Sequence, residues 1–400
     1  MATLQLIIFY TGIVLWTILF IQIFYLAFLA VAGRLIPAEK FAKASILRRM
    51  VVLIPAYKED GVIVDVATDA LHQDYPRDKY DVVVIADSLK PETVKKLQSI
   101  PVKVVEVKFE KSTKSKALNA AMSALPETYD CAVILDADNL MESNLLHKIN
   151  DAFEAGYQIV QGHRVARNLD TPVAILDAVS EEINNHIFRE GNRAVGLSCS
   201  LIGSGMAFNY KMFKEVMQNI QAVGGFDKEL ELYFTREGIK TAWLPLGYVY
   251  DEKVQNYESL GNQRRRWLAA QFIYFGQHFG PALLTLVTRG NLDYFFRTWQ
   301  QIQLPRVLLL GLTTLLTAFF LLVQPFILSQ YWLFLWALLI FTLGISMPVY
   351  LLNTKLFHAV LYLPAGIWKM FLSLLKIKGA NKTFIHTTHT GGDQSKGKKR

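Results

Sequence analysis

The chain has 400 residues, of which 52% are hydrophobic and 19% charged, with a formal net charge of +8 and two cysteines. That length exceeds one ordinary domain, and a charged fraction this high beside so much apolar residue means that the apolar character is gathered in blocks, as in a catalytic domain with membrane segments attached. Two cysteines, Cys131 and Cys199, exclude a disulfide framework and are consistent with a reducing compartment.

Residues 4–31, LQLIIFYTGIVLWTILFIQIFYLAFLAV, carry no charge and exceed the ~20 residues with which a helix crosses the hydrocarbon layer. A short apolar region, a basic start and a small-residue cleavage site are not evident, so residues 1–33 are predicted to be an anchor and not a cleaved signal. Arg34, Lys40, Lys43, Arg48 and Arg49 follow it and no Lys or Arg precedes it, which places the middle of the chain in the cytoplasm by the positive-inside rule.

The apolar runs then become short and rich in β-formers: 50–57, 80–88, 102–109, 131–138 and 157–165, with helical patterns at 114–125 and 142–156. Strand alternating with helix predicts an α/β domain with a mostly parallel, doubly wound sheet. Ligands of such sheets bind beyond the carboxyl ends of the strands. There stand Pro55, Tyr57 and Glu59, then Asp87 and Ser88, then Asp136 and Asp138, so the acidic groups fall on one rim.

Each has a plain reading and a chemical one. Asp136-Ala-Asp138 is either a turn capping the next helix or a pair of hard oxygen ligands for Mg²⁺ or Mn²⁺ that also bridges a diphosphate. Asp87 either ends a strand or hydrogen-bonds a nucleotide base. Lys114 and Lys116 either solvate a helix start or, at Lys114, offset diphosphate charge. The stretch GSGMAF, 203–208, has two glycines that admit close backbone approach, but it lacks the third glycine of a dinucleotide motif, and no Walker A sequence occurs.

Residues 306–328 and 331–352 are two further candidate spans, a helical hairpin (300–353) linked at Ser329 and Gln330. The stretch 357–377 is interrupted by His358, Pro364 and Lys369, so region 354–378 reads either as an interfacial amphipathic helix or as another span. From residue 376 the tail has seven Lys or Arg against Asp393 alone, +6 of the formal +8. The basic balance therefore describes a cytoplasmic tail (379–400) and no nucleic-acid surface. A cytoplasmic tail needs an even number of spans after the middle domain, which favours two spans plus an interfacial helix. His386 and His389 have no third ligand nearby and read as solvated tail.

Taken together, VLIPAYKED, VVVIADS, KSKALN, LDADN, GSGMAF and above all QRRRW resemble the membrane-bound glycosyltransferase family 2, the group of cellulose, hyaluronan and poly-N-acetylglucosamine synthases, over residues 50–270. The resemblance implies a GT-A fold for 45–270 and metal-dependent, inverting transfer of a sugar from a nucleotide sugar, usually a uridine one. It places Ala56, Tyr57 and Glu59 around the nucleoside, Asp87 on the base, Lys114 near the phosphates, and Asp136 and Asp138 on metal and nucleotide. Inversion needs a base for the acceptor hydroxyl, and the family's spacing, eleven positions before Gly238, selects Asp227. The chain departs from the family's T-E-D, having Gly225-Phe226-Asp227. Either the missing Glu is dispensable or the base is Glu229 or Glu231, and an Asp capping helix 228–237 is the plain alternative. Gln263, Arg266 and Trp267 form Q-x-x-R-W, with Arg266 suited to a diphosphate and Trp267 to stacking an acceptor sugar. The plain alternative is a basic aromatic helix at the membrane surface, with Arg264 and Arg265 among headgroups.

The expectation is thus a multi-pass bacterial inner-membrane enzyme with a cytoplasmic catalytic domain, taking a nucleotide sugar and a growing glycan or lipid-linked acceptor at the bilayer; an export partner leaves no mark. Single-sugar transfer to a lipid is the alternative to polymerisation. A nucleotidyltransferase would have no use for Q-x-x-R-W, an aspartyl-phosphate phosphatase would want Thr or Ser where Leu140 stands, and a transporter would want ionisable groups in its spans. An inactive scaffold has only Phe226 in its favour.

Overall fold

The computed structural model describes residues 2–220, 225–255, 257–323 and 327–375. Eight strands, β1 (Met50–Tyr57), β2 (Tyr80–Asp87), β3 (Lys103–Val107), β4 (Cys131–Ile134), β5 (Leu140–Met141), β6 (Ile159–Ala166), β7 (Met206–Asn209) and β8 (Thr241–Asp251), form one sheet in the order β3-β2-β1-β4-β7-β6-β8-β5. The β3-β2-β1-β4 half is parallel, as the alternating pattern requires. The other half is mixed: β7 runs antiparallel to β4 and β6, and β5 antiparallel to β8, while β6 and β8 are parallel. The helical segment 172–194 separates β6 from β7, and β7 then enters from the opposite end. The result is the mixed α/β sheet of a GT-A fold.

β1 is buried on both faces because its residues alternate between two cores. Val52 and Ile54 face the helices Ile63–Ala70 and Leu145–Glu154. Val51 and Leu53 face Lys114–Ala124, Tyr210–Met217 and Phe226–Arg236. The sheet is thereby fixed from above and below, and the strand ends, which carry polar residues, are left at one rim.

A third core joins the domain to the apolar helices. The helix Ala2–Leu35 packs with Ile327–Ile345 and Arg306–Val323, and Leu19, Ile23 and Leu26 meet Ile175, Val179 and Ile187 from the segment after β6. At Gly191 an added Cβ would stand 2.4 Å from the backbone oxygen of Leu29, so only glycine lets the two backbones touch there. Gln22 bonds the chain at Leu304 twice: its Nε2 donates to the Leu304 oxygen at 2.8 Å, and its Oε1 accepts from the Leu304 nitrogen at 3.3 Å.

Three described helices are long and apolar enough to cross a membrane, Thr3–Leu35, Arg306–Val323 and Leu328–Ile345. Their outward faces are lined by exposed Ile18, Phe24, Phe28, Leu315 and Phe341. The hairpin link differs from expectation: Ser329 and Gln330 lie inside the helix Ile327–Ile345, since neither residue breaks a helix and an apolar run continues on both sides. The 354–378 region forms two short helices, Thr354–Val360 and Leu363–Leu375. The second buries Met370 against Leu268 and Leu308 while Trp368 and Phe371 face outward. The basic tail with His386 and His389 lies outside the described residues.

Candidate active site

β1 and β2 end in register, Tyr57 opposite Asp87. The next residues, Lys58 (φ 57°) and Ser88 (φ 59°), both adopt the left-handed region, which costs a non-glycine residue about 1–3 kcal/mol and concentrates at functional sites. The turn is tied by Lys58 N donating to the Asp87 oxygen at 3.1 Å and by Ser88 Oγ donating to Asp87 Oδ1 at 3.0 Å. Asp87 is buried, and with Ala56, Tyr57 and Glu59 it lines one cavity.

The D-x-D turn leaves β4 two residues before Asp136. Its shape is held from behind: Asp136 N donates to Ser204 Oγ at 2.9 Å, Ser204 Oγ donates to Asn139 Oδ1 at 2.6 Å, and Asn139 Nδ2 donates to Asp138 Oδ1 at 3.1 Å. Asn139 and Ser204 are fully buried, so each bond is made where water cannot replace it. Gly203 and Gly205, at φ 82° and 64°, carry Ser204 in between. A Cβ on Gly205 would come within 2.8 Å of the Val249 side chain. GSGMAF is thus a brace for the acidic turn.

Thr113 caps the helix Lys114–Ala124 by accepting from Lys116 N, which sets Lys114 on its first turn. Lys114 Nζ donates to Asp136 Oδ1 and, at 2.6 Å, to the Gly203 oxygen. Lys116 turns away to the Lys111 oxygen at 3.1 Å. Of the two lysines, Lys114 is the one over the acidic rim.

One carboxylate lining the cavity was not legible in the sequence. Asp251, at the end of β8, accepts from the same Asn139 Nδ2 at 2.9 Å and from Lys253 Nζ at 2.6 Å. Burial, with the neighbouring Asp138 charge, pushes its carboxyl up to about 7 against the pull of Arg164. The available signal was its place at a strand end, but Pro245 and Gly247 interrupt the apolar run of β8.

Asp227 stands in the first turn of the helix Phe226–Arg236, whose N-cap, Gly225, makes no side-chain cap bond. It lines the cavity, and a Cβ on Gly203 would be 3.9 Å from its Cγ. Burial raises its pKa, Glu231 adds to the rise, and Lys228 and Lys114 oppose it. Glu231 is fully engaged elsewhere: it is buried, accepts from Leu201 N at 2.9 Å and pairs with Arg297 at 3.1 Å. Glu229 accepts from Tyr274 Oη at 3.4 Å and is not on the cavity wall. Phe226 packs into the core with Leu230 and Phe234, and Lys114 Nζ lies 5.3 Å over its ring. The aromatic ring therefore supports the lysine.

Trp267 is exposed on the helix Tyr257–Arg289 and lines the cavity; the side chains of Gln263 and Arg266 lie outside the described residues. The cavity has a volume of about 530 Å³ and runs from the strand-end rim past Asp227 to Gln22, Gln301, Gln303, Arg306 and Met370 beside the apolar helices. That size suits a nucleotide-sized ligand. Among the described residues no three His, Cys, Asp or Glu are grouped to hold a metal. Asp136 and Asp138 offer hard carboxylate oxygens of the kind that would hold Mg²⁺ or Mn²⁺.

The profile of the family described as "Glycosyltransferase like family 2" matches residues 48–270. Among solved structures, the chain is similar to the mannosyltransferase PcManGT from Pyrobaculum calidifontis in complex with GDP-Man and Mn²⁺, at 17% identity and TM-score 0.50, covering 84% of this chain and 97% of that one. It also matches the glucosyl-3-phosphoglycerate synthase from Mycobacterium tuberculosis in complex with Mn²⁺, UDP and glucosyl-3-phosphoglycerate, at 17% identity and TM-score 0.41, covering 58% of this chain and 85% of that one. No curated protein matches the chain. With more than half of its length matched by one profile, and with the mixed sheet and acidic strand-end turn in place, the chain belongs to the glycosyltransferase-like family 2 and is a glycosyltransferase of GT-A fold.

Proposed function

We propose that the protein is a membrane-bound, metal-dependent, inverting glycosyltransferase that moves a sugar from a nucleoside diphosphate donor, a uridine one first, to a lipid-linked acceptor or growing glycan. The observation that carries this reading is the continuity of one cavity from the Asp136–Asp138 turn through Asp227 to the apolar helices. Ala56, Tyr57, Glu59 and Asp87 take the nucleoside, and Lys114, already against Asp136, takes charge from the diphosphate. Asp136 and Asp138 hold Mg²⁺ or Mn²⁺, which supplies a Lewis acid for the leaving diphosphate. Asp227 accepts the proton of the acceptor hydroxyl as that oxygen bonds the anomeric carbon and the bond to the diphosphate breaks on the opposite face. The carboxylate is suited to this by burial, which moves it toward the operating pH. Gln263, Arg266 and Trp267 guide diphosphate and acceptor in this reading.

Single addition to a lipid acceptor is favoured over polymerisation by the three candidate spans, which give little wall for a polymer channel. The test uses membranes containing the wild-type chain, Asp138→Asn and Asp227→Asn, offered UDP-sugars and GDP-mannose with Mg²⁺ or Mn²⁺. Metal-dependent nucleotide release that both variants lose supports the reading, and product size separates polymer from single addition. Turnover that both variants retain overturns the assignment.

A further inference from the structure

Arg189 lies in a π-helical stretch, Asn185–Gly191, the segment that Gly191 seats against the N-terminal helix. Such stretches are rare and gather at functional sites. Arg189 is 3% exposed and lines the same cavity as Asp227. Nε donates to the Ser200 oxygen at 3.2 Å and Nη1 to Asn185 Oδ1 at 2.6 Å, both neutral acceptors. The Trp243 ring lies 5.8 Å away.

Among the described residues no carboxylate pairs with Arg189. Other cations here have one: Arg164 meets Glu181 at 2.6 Å, Lys253 meets Asp251 at 2.6 Å, and next to the wall Arg297 meets Glu231 at 3.1 Å. Burial lowers the Arg189 pKa to about 10, which leaves it charged at neutral pH. The Glu231 and Glu182 charges favour it only from beyond ion-pair range, each being paired with another residue, and a buried charge without a paired partner is unfavourable, which leaves Arg189 able to take an anion that arrives from outside.

A second observation points to the same end of the cavity. Gln301, 4% exposed, lines the wall with no hydrogen bond at Oε1, and Gln303 has none at a buried Nε2. An acceptor and a donor are thus left for a polar ligand. Beside them the wall is apolar, with Leu26, Phe188, Leu304, Val307 and Met370, and it reaches the helices that carry the exposed apolar surface. A polar anionic group next to an apolar surface describes the head of a phosphorylated lipid.

Resting on the proposed membrane acceptor, we propose that the membrane-facing end of the cavity binds the phosphate of a lipid-linked acceptor, with Arg189 supplying the charge and Gln301 and Gln303 the hydrogen bonds. The acceptor is then a lipid phosphate or diphosphate carrier and not a neutral glycolipid.

The test measures binding to the detergent-solubilised full chain without donor sugar or turnover, so it reads this site whether or not the transfer reaction above is found. The probes are a long-chain polyprenyl monophosphate, the same polyprenol without phosphate, inorganic phosphate, pyrophosphate and UDP. The wild type is expected to bind the phosphorylated lipid and not the bare alcohol. Arg189→Gln is expected to weaken that binding roughly 10- to 100-fold, the loss of a charge-assisted hydrogen bond, to leave UDP affinity as it is, and to raise the ligand-free Tm because an unfavourable buried charge is removed. Arg189→Lys keeps the charge and is expected to retain most of the binding. If Arg189→Gln does not fold, Gln301→Leu carries the test, with a several-fold loss for the phosphorylated lipid alone. Equal binding of alcohol and phosphate overturns the proposal. Loss of UDP or pyrophosphate binding in Arg189→Gln also overturns it, assigning Arg189 to the donor diphosphate. So does binding of free phosphate as tight as the lipid's, which makes the site one for a soluble anion, or a fall in ligand-free Tm with unchanged lipid affinity, which makes the arginine structural.

Discussion

At the strand-end rim of the cavity Lys114 rests on Asp136, and the acidic turn is held from behind by two fully buried side chains, Ser204 and Asn139. At the end beside the apolar helices Arg189 has neutral partners only, and Gln301 has a carbonyl oxygen with none. The first end is preorganised around its own opposed charges, so a ligand there exchanges one set of partners for another. The second is preorganised around an imbalance, which a ligand corrects. Rigidity and incompleteness are two ways of preparing a site, and this protein uses one at each end of a single cavity.

The largest expected effect breaks the chemistry between the two ends. Asp227→Asn is expected to lower kcat by about 10²- to 10⁴-fold, the range of general-base catalysis, with nucleotide affinity retained. Because burial raises the Asp227 pKa, the acid limb of kcat/KM in the wild type lies above the ordinary carboxylate range: the base is protonated and inactive below that limb and active above it. The same sign governs stability. A raised carboxyl pKa stabilises the fold at low pH, and this contribution disappears as pH rises through the folded value. The Tm of Asp227→Asn relative to wild type is therefore expected to increase with pH, and a relative Tm that falls with pH would sink the assignment of a buried, unpaired carboxylate.

Lys114→Met addresses the rim alone. It removes one charge-assisted bond, so UDP affinity is expected to fall roughly 10- to 100-fold, while binding of a phosphorylated lipid at the other end stays within error. Calorimetric titration of each ligand separates the two ends, and an equal loss for both would show that they are one site. Ser204→Ala is the mildest. It leaves Asn139 Oδ1 and Asp136 N without their buried partner, at a cost of about 1–3 kcal/mol, read as a lowered denaturation midpoint, with donor KM raised because the D-x-D turn loosens.

The rim was legible in the sequence because each of its residues closes a run of β-formers: Tyr57 ends MVVLIPAY, Asp87 ends YDVVVIAD, and Asp136 follows CAVIL. Buried parallel strands announce their own ends. β7 and β8 do not, the first being four residues after a glycine pair and the second being broken by Pro245 and Gly247, so the mixed half of the sheet and Asp251 went unread. Phe226 read as a lost carboxylate, whereas its ring packs in the core under Lys114. The end beside the apolar helices was invisible for a different reason. Gln22, Arg189 and Gln301 come from three distant segments with no motif, and what distinguishes them is the partner each meets or lacks after folding.

The contact at Gly191, where no side chain separates the Arg189 segment from the backbone at Leu29, has a mechanical consequence. A membrane-spanning helix tilts to match the thickness of its bilayer. In the proposed membrane-bound enzyme that tilt would pass without slack to one end of the cavity, while the rim rides on the sheet. Reconstitution into thin and thick bilayers is therefore expected to change the acceptor KM and leave the donor KM unchanged, making lipid thickness a control on the enzyme that needs no regulatory ligand.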